Sequence, residues 1–87
     1  RSFVLANGIW ADTRAAALQK DSSVIKLRVQ AFSAAYFRVL DIVPSIKPML
    51  ALGDHVIVAG RGIVLEVGPQ GATDLDARAI AALNAGW

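Results

Sequence analysis

The chain has no cysteine and a single histidine, His55. The first absence excludes a disulfide framework and a thiol nucleophile. The two together exclude every zinc site that needs Cys or several His. Long apolar runs are missing too. Crossing a bilayer takes a helix of about 18 to 20 apolar residues, whereas the longest runs here, 55–60 and 62–67, are strand-length and separated by Arg61. No signal peptide is visible. Charge of one sign is also scarce: nine Lys+Arg against seven Asp+Glu leave +2, too little to define a partner. No Gly-x-Ser-x-Gly elbow or other triad signature occurs.

What is present is one domain's worth of chain, 87 residues that are 55% hydrophobic. Sixteen of those residues are alanine, so the percentage overstates the bulky material available for a core. Because the first residue is Arg1 rather than Met, a processed product or a piece of a longer protein is expected.

Periodicity and turn chemistry divide the chain. Asn7-Gly8 between the apolar runs 2–6 and 9–12 predicts a hairpin, since both turn positions need φ > 0 and these residues tolerate it. Residues 13–21 are Ala-rich and have one sizeable apolar side chain, Leu18, so a weakly docked helical turn or a long connection is expected. Residues 23–29 alternate, with Ile25, Leu27 and Val29 on one face and Val24, Lys26 and Arg28 on the other. From 32 to 43 the period lengthens, and Phe32, Tyr36, Val39, Leu40 and Val43 share a helical face opposite Ala34, Arg38 and Asp41. Ser33 is placed to cap that helix and Pro44 to end it.

After a short turn over 45–50, the runs 55–59 and 63–67 flank Gly60-Arg61-Gly62, which predicts a second hairpin with a left-handed position or a bulge. A last helix is expected over about 75–83, with Thr73 as its cap and Asp74 and Asp76 in its first turn. The prediction is therefore an α+β domain over residues 1–70. It is a small, curled, antiparallel sheet of about five strands (two hairpins plus one strand) under one amphipathic helix, followed by a helical tail over 71–87. So small a domain buries only about 60% of its unfolded surface, and contacts with neighbouring domains are expected to matter.

No catalytic, cofactor or metal site emerges. Asp54-His55 sits at the mouth of a strand with Ser22, Ser23, Ser33 and Ser45 nominally available, but the reading is a strand-edge histidine. Asp74 and Asp76 alternate like the start of a calcium loop without its glycine and closing glutamate, and capping explains them better. Gly60-Arg61-Gly62 precedes a strand, not the helix that a phosphate loop requires.

Charge is unevenly spread: residues 1–50 hold seven Lys/Arg and three acids, residues 51–87 two and four. Lys26 and Arg28 share a strand face, but Trp10 is the only conceivable stacking partner, so a solvated edge is favoured over a nucleic-acid surface. Trp10, Phe32, Tyr36 and Phe37 read as core by their spacing. Trp87 reads as an anchor or as a group awaiting a partner. The interaction residues expected on this basis are Trp87, Arg61 at a hairpin tip, and the Lys26/Arg28 edge.

Three stretches taken together resemble a known module: residues 3–13 (FVLANGIWADT), 32–37 (FSAAYF) and 52–58 (LGDHVIV). They are similar to a small C-terminal module of bacterial proteins that carry an inter-alpha-trypsin-inhibitor-type domain followed by a von Willebrand factor type A domain. The likeness spans roughly residues 2–67 and rests mostly on turn and core residues. It implies a non-enzymatic accessory module of a larger, extracytoplasmic adhesion or scaffold protein, acting by interdomain or protein–protein packing. The metal-dependent adhesion site of such a parent would lie in its von Willebrand-type domain, which these residues do not contain. The alternative, independent of the resemblance, is a small nucleic-acid-binding domain using Lys26 and Arg28. Homo-oligomerisation is compatible with either.

Overall fold

The computed structural model describes residues 2–87. Its strands are β1 (Phe3–Ala6), β2 (Ile9–Asp12), β3 (Ile25–Gln30), β4 (Val56–Ala59) and β5 (Ile63–Gly68). Its helices are α1 (Ala15–Gln19), α2 (Ala34–Ile42), α3 (Lys47–Leu50) and α4 (Ala77–Gly86), with a 3-10 turn over Pro44–Ile46 between α2 and α3. The five strands form one open sheet in the order β1-β2-β4-β5-β3. This is the small α+β domain that the patterning predicts.

The sheet is mixed rather than wholly antiparallel. Both hairpins are antiparallel, with Leu5 opposite Trp10 and Val58 opposite Leu65. The hairpin β4–β5 enters between the first hairpin and β3, and pairs in parallel with each: Trp10 lies opposite Val56 and Leu27 opposite Leu65. Short turns fix strand sense only inside a hairpin. The sense of β3 against β5 is instead set by the long connection through α2 and α3.

Local chemistry explains most of the element ends. Asn7 and Gly8 both adopt positive φ, 54° and 79°, as a tight hairpin turn requires. Ser33 caps α2 by accepting from the Tyr36 N–H. Val43 leaves the helical region before Pro44, and Pro44 opens the 3-10 turn. The cap of α4 is Asp76, whose Oδ1 accepts from the Ala79 N–H at 2.8 Å. The expected cap, Thr73, lies earlier and gives its carbonyl to the Ala35 N–H.

The main core lies on one face of the sheet. Val29, Val56, Val58, Ile63, Leu65 and Val67 meet Ala35 and Val39 of α2, Ile46, Leu50 of α3, and Ala82 and Leu83 of α4. Two further helices thus share the cover expected from α2 alone. The segment 71–87, expected as a tail, closes the same core: Leu83 is 1% exposed. On the other face, α1 covers a smaller cluster of Ala15, Val24, Ala59 and Val64. The β4–β5 hairpin is therefore buried on both sides, which is why its sequence runs apolar without alternation.

Candidate interaction surface

The helical face of α2 is rotated relative to the predicted one. Ala35 and Val39 are buried, while Tyr36 and Leu40 are only half-buried. Phe32 lies before the helix, at position three of a turn closed by the Ser33 N–H on the Gln30 carbonyl. Its φ is +62°, a value that favours glycine at this point. Instead of entering the core, Phe32 is 64% exposed, and Phe37 is 55% exposed. The core role expected for these two residues is thereby corrected; Trp10 and Tyr36 are half-buried against the core.

The exposed rings form one patch. The centroids of Phe32 and Tyr36 are 5.2 Å apart, and Tyr36 meets Phe37 edge-on at 5.1 Å. Phe32 also borders a cavity of about 370 Å³ whose other walls include Gln30, Asp54, His55 and Pro69. In that wall the His55 Nε2 bonds Glu66 Oε2 at 2.8 Å, and Glu66 Oε1 lies 3.9 Å from Arg28 Nε. The His55 ring rests over Gly68, where a Cβ would come within 3.0 Å of it. His55 is therefore held by Glu66. Of the serines considered for it, Ser23 bonds Asp21 and Ser33 caps α2.

Each cation of the basic edge has a partner close by. Lys26 Nζ donates to the Asp21 carbonyl at 2.7 Å, and Arg28 faces Glu66 across the β3–β5 pair. The Asp21 carboxyl is held below its ordinary range mainly by the Ser23 hydroxyl, then by the Ser23 N–H, with Lys26 a smaller contributor. Both cations read from β3 thus have partners within the chain, Lys26 a backbone carbonyl and Arg28 the Glu66 carboxylate.

Arg61 and Trp87 are brought together, with each other. The Gly86 carbonyl at the end of α4 accepts from the N–H groups of Arg61 and Gly62 at 2.7 and 2.9 Å. Arg61 Nε donates to the Trp87 carbonyl at 3.3 Å, and the Trp87 ring packs half-buried against the core. Neither Gly60 nor Gly62 takes a positive φ, so the expected left-handed turn or bulge is not used. Close approach explains Gly60: a Cβ there would lie 2.9 Å from the Gly86 carbonyl and 3.0 Å from Trp87 Cε3.

One buried polar residue leaves no mark in the hydrophobic pattern. Asp12 is 2% exposed. Its Oδ1 accepts from the Arg14 N–H at 3.0 Å and its Oδ2 from the Ala59 N–H at 3.2 Å, while the Arg14 guanidinium returns to the Ala59 carbonyl at 2.7 Å. It staples the end of the first hairpin to the end of β4. The Asp-x-Arg spacing was its only sequence trace.

Among the described residues, no group of three or more His, Cys, Asp or Glu side chains could hold a metal ion, and no helix is long and apolar enough to cross a membrane. Fold and surface together define a small α+β domain with an exposed aromatic patch. Comparison with family models, curated proteins and solved structures finds no match for this chain.

Proposed function

We propose that the chain is a non-enzymatic accessory module that acts by packing against another protein surface, either a neighbouring domain of its own polypeptide or a separate partner. The observation that carries this reading is Phe32. An aromatic ring standing mostly in solvent from a backbone conformation that disfavours it is a local cost that folding does not recover. Such costs cluster where a surface is used. Phe32, Tyr36 and Phe37 make a contiguous aromatic patch of the kind that anchors interfaces. The resemblance of residues 2–67 to the accessory module of bacterial inter-alpha-trypsin-inhibitor/von Willebrand factor type A proteins points the same way, and makes the neighbouring domain the first partner to try. An extracytoplasmic setting follows from that resemblance alone.

The alternative, nucleic-acid binding through Lys26 and Arg28, has less to support it, because both cations already face local acceptors. The test is calorimetric titration of the chain against the rest of its natural polypeptide supplied in trans, with a duplex and a single-stranded oligonucleotide run in a salt series. The reading expects binding that Phe32→Ser/Phe37→Ser weakens by roughly tenfold or more and that Lys26→Ala/Arg28→Ala leaves unchanged. Oligonucleotide binding with a steep salt slope, lost in Lys26→Ala/Arg28→Ala, would replace it with the alternative.

A further inference from the structure

The two edges of the sheet are built differently. Along β3 the outer edge is partly covered: Ala72 bridges Val29 in parallel, the Gln30 N–H bonds the Ala72 carbonyl at 3.0 Å, and the Ala72 N–H bonds the Arg28 carbonyl at 2.9 Å. Lys26 and Arg28 add charge to the same strand. Both are ways in which sheets protect an edge from unwanted pairing. At the opposite edge, β1 has neither. Its sequence, Phe3-Val4-Leu5-Ala6, contains no charge and no proline, among the described residues it pairs only with β2, and Val4 and Leu5 are each more than half exposed.

The phase of the β1–β2 ladder shows which backbone groups face outward. Hydrogen-bonded and non-bonded residue pairs alternate along an antiparallel ladder. The Thr13 N–H bonds the Ser2 carbonyl, so Ser2, Val4 and Ala6 bond inward to β2. The Trp10 N–H, opposite Leu5, turns away from β1 to the His55 carbonyl, in agreement with that phase. The N–H and C=O groups of Phe3 and Leu5 therefore point to the open edge.

We propose that β1 pairs antiparallel with β1 of a second copy, about a two-fold axis perpendicular to the sheet and passing between the two Val4 residues. This register alone places Phe3 opposite Leu5 of the second copy and Leu5 opposite its Phe3. Every outward backbone group of the strand then gains a partner, since each hydrogen-bonded pair exchanges both of its bonds. Because an axis perpendicular to the sheet keeps its faces aligned, Val4 meets Val4 on one face. Leu5 meets Phe3 on the other, beside Trp10. A self-complementary contact of this kind closes as a dimer. No charged residue of β1 is brought against its own copy, which is what a two-fold contact punishes most directly. The proposal does not depend on the aromatic patch of Phe32 and Phe37.

Two strands of four residues make a small contact, below the roughly 1,200 Å² of a standard interface, so the dimer is a weak one. Sedimentation equilibrium and NMR hydrogen exchange on the chain from about 10 µM to about 1 mM test it. The mean mass should climb from 9.2 kDa toward twice that value. Protection of the Phe3 and Leu5 amides should rise with it, while protection at Phe32 and Phe37 stays constant. Leu5→Lys, at an exposed position, should remain monomeric with an unchanged melting temperature, and Val4→Lys should do the same. A single 9.2 kDa species at 1 mM would overturn the proposal. So would a dimer that leaves Phe3 and Leu5 protection unchanged, or one abolished by Phe37→Ser but not by Leu5→Lys.

Discussion

Gly60→Ala should loosen the end of α4 while the sheet stays intact. The new Cβ would stand 2.9 Å from the Gly86 carbonyl oxygen, 2.9 Å from Ile63 Cγ2 and 3.0 Å from Trp87 Cε3. Ile63 is fully buried and the carbonyl belongs to backbone, so the C-terminal segment is what must move. Overpacking of this kind costs about 1–3 kcal/mol. Losing the two N–H bonds from Arg61 and Gly62 to Gly86 adds about 1 kcal/mol each. A total near 3–5 kcal/mol lowers the melting temperature of so small a domain by roughly 12–40 °C. Gly62→Ala is the matched control, because its Cβ would meet nothing nearer than the Gly86 Cα at 3.9 Å and its φ suits any residue. That change should be neutral or stabilise by up to about 1 kcal/mol. Thermal and urea unfolding give the stabilities, and amide exchange at Arg61 and Gly62 shows whether α4 has lifted. Equal stability for the two variants, or unchanged exchange in Gly60→Ala, would refute the docking of the C-terminal segment on the hairpin tip.

Three further outcomes follow from the same structure. Asp12→Ala leaves the buried Ala59 N–H without its carboxylate acceptor and should cost about 1–3 kcal/mol in urea unfolding, with Asp12→Asn losing less because one acceptor oxygen remains. Phe32→Gly should be more stable than Phe32→Ala by about 0.5–1 kcal/mol, the reverse of the usual order, since both lose the ring and only glycine relaxes at φ +62°; equal melting temperatures would show that the backbone there is unstrained. Asp21 titrates below its ordinary range in the folded chain, so its contribution is present above the unfolded pKa of about 3.9 and disappears as pH falls through the folded value. Wild type should lose more stability than Asp21→Asn between about pH 4.5 and 2.5.

The elements legible in the sequence are those fixed by neighbours along the chain. Asn7-Gly8, Ser33 and Pro44 each act through their own backbone or a residue three away, and each does what its chemistry predicts. What periodicity could not supply depends on distant partners. Parallel pairing of β3 with β5 is decided by where the second hairpin inserts. The reason for Gly60 is a carbonyl 26 residues further along the chain, and Asp12 is needed by Ala59, 47 residues away. Phe32 misled the pattern because it sits in register with the helical stripe yet belongs to the preceding turn. Of the expected contact residues, Arg61 and Trp87 satisfy each other, Lys26 and Arg28 face local acceptors, and the exposed aromatic patch lay among residues that spacing assigned to the core.

That patch is the centre of the functional account, and hydroxyl-radical footprinting reads it directly. Phe32 and Phe37 should be oxidised readily in the purified chain and protected roughly tenfold once the proposed protein partner is bound, while the half-buried Tyr36 changes less. Equal oxidation of Phe32 and Phe37 in both settings would contradict the account, because the surface proposed to make the contact would then remain in water.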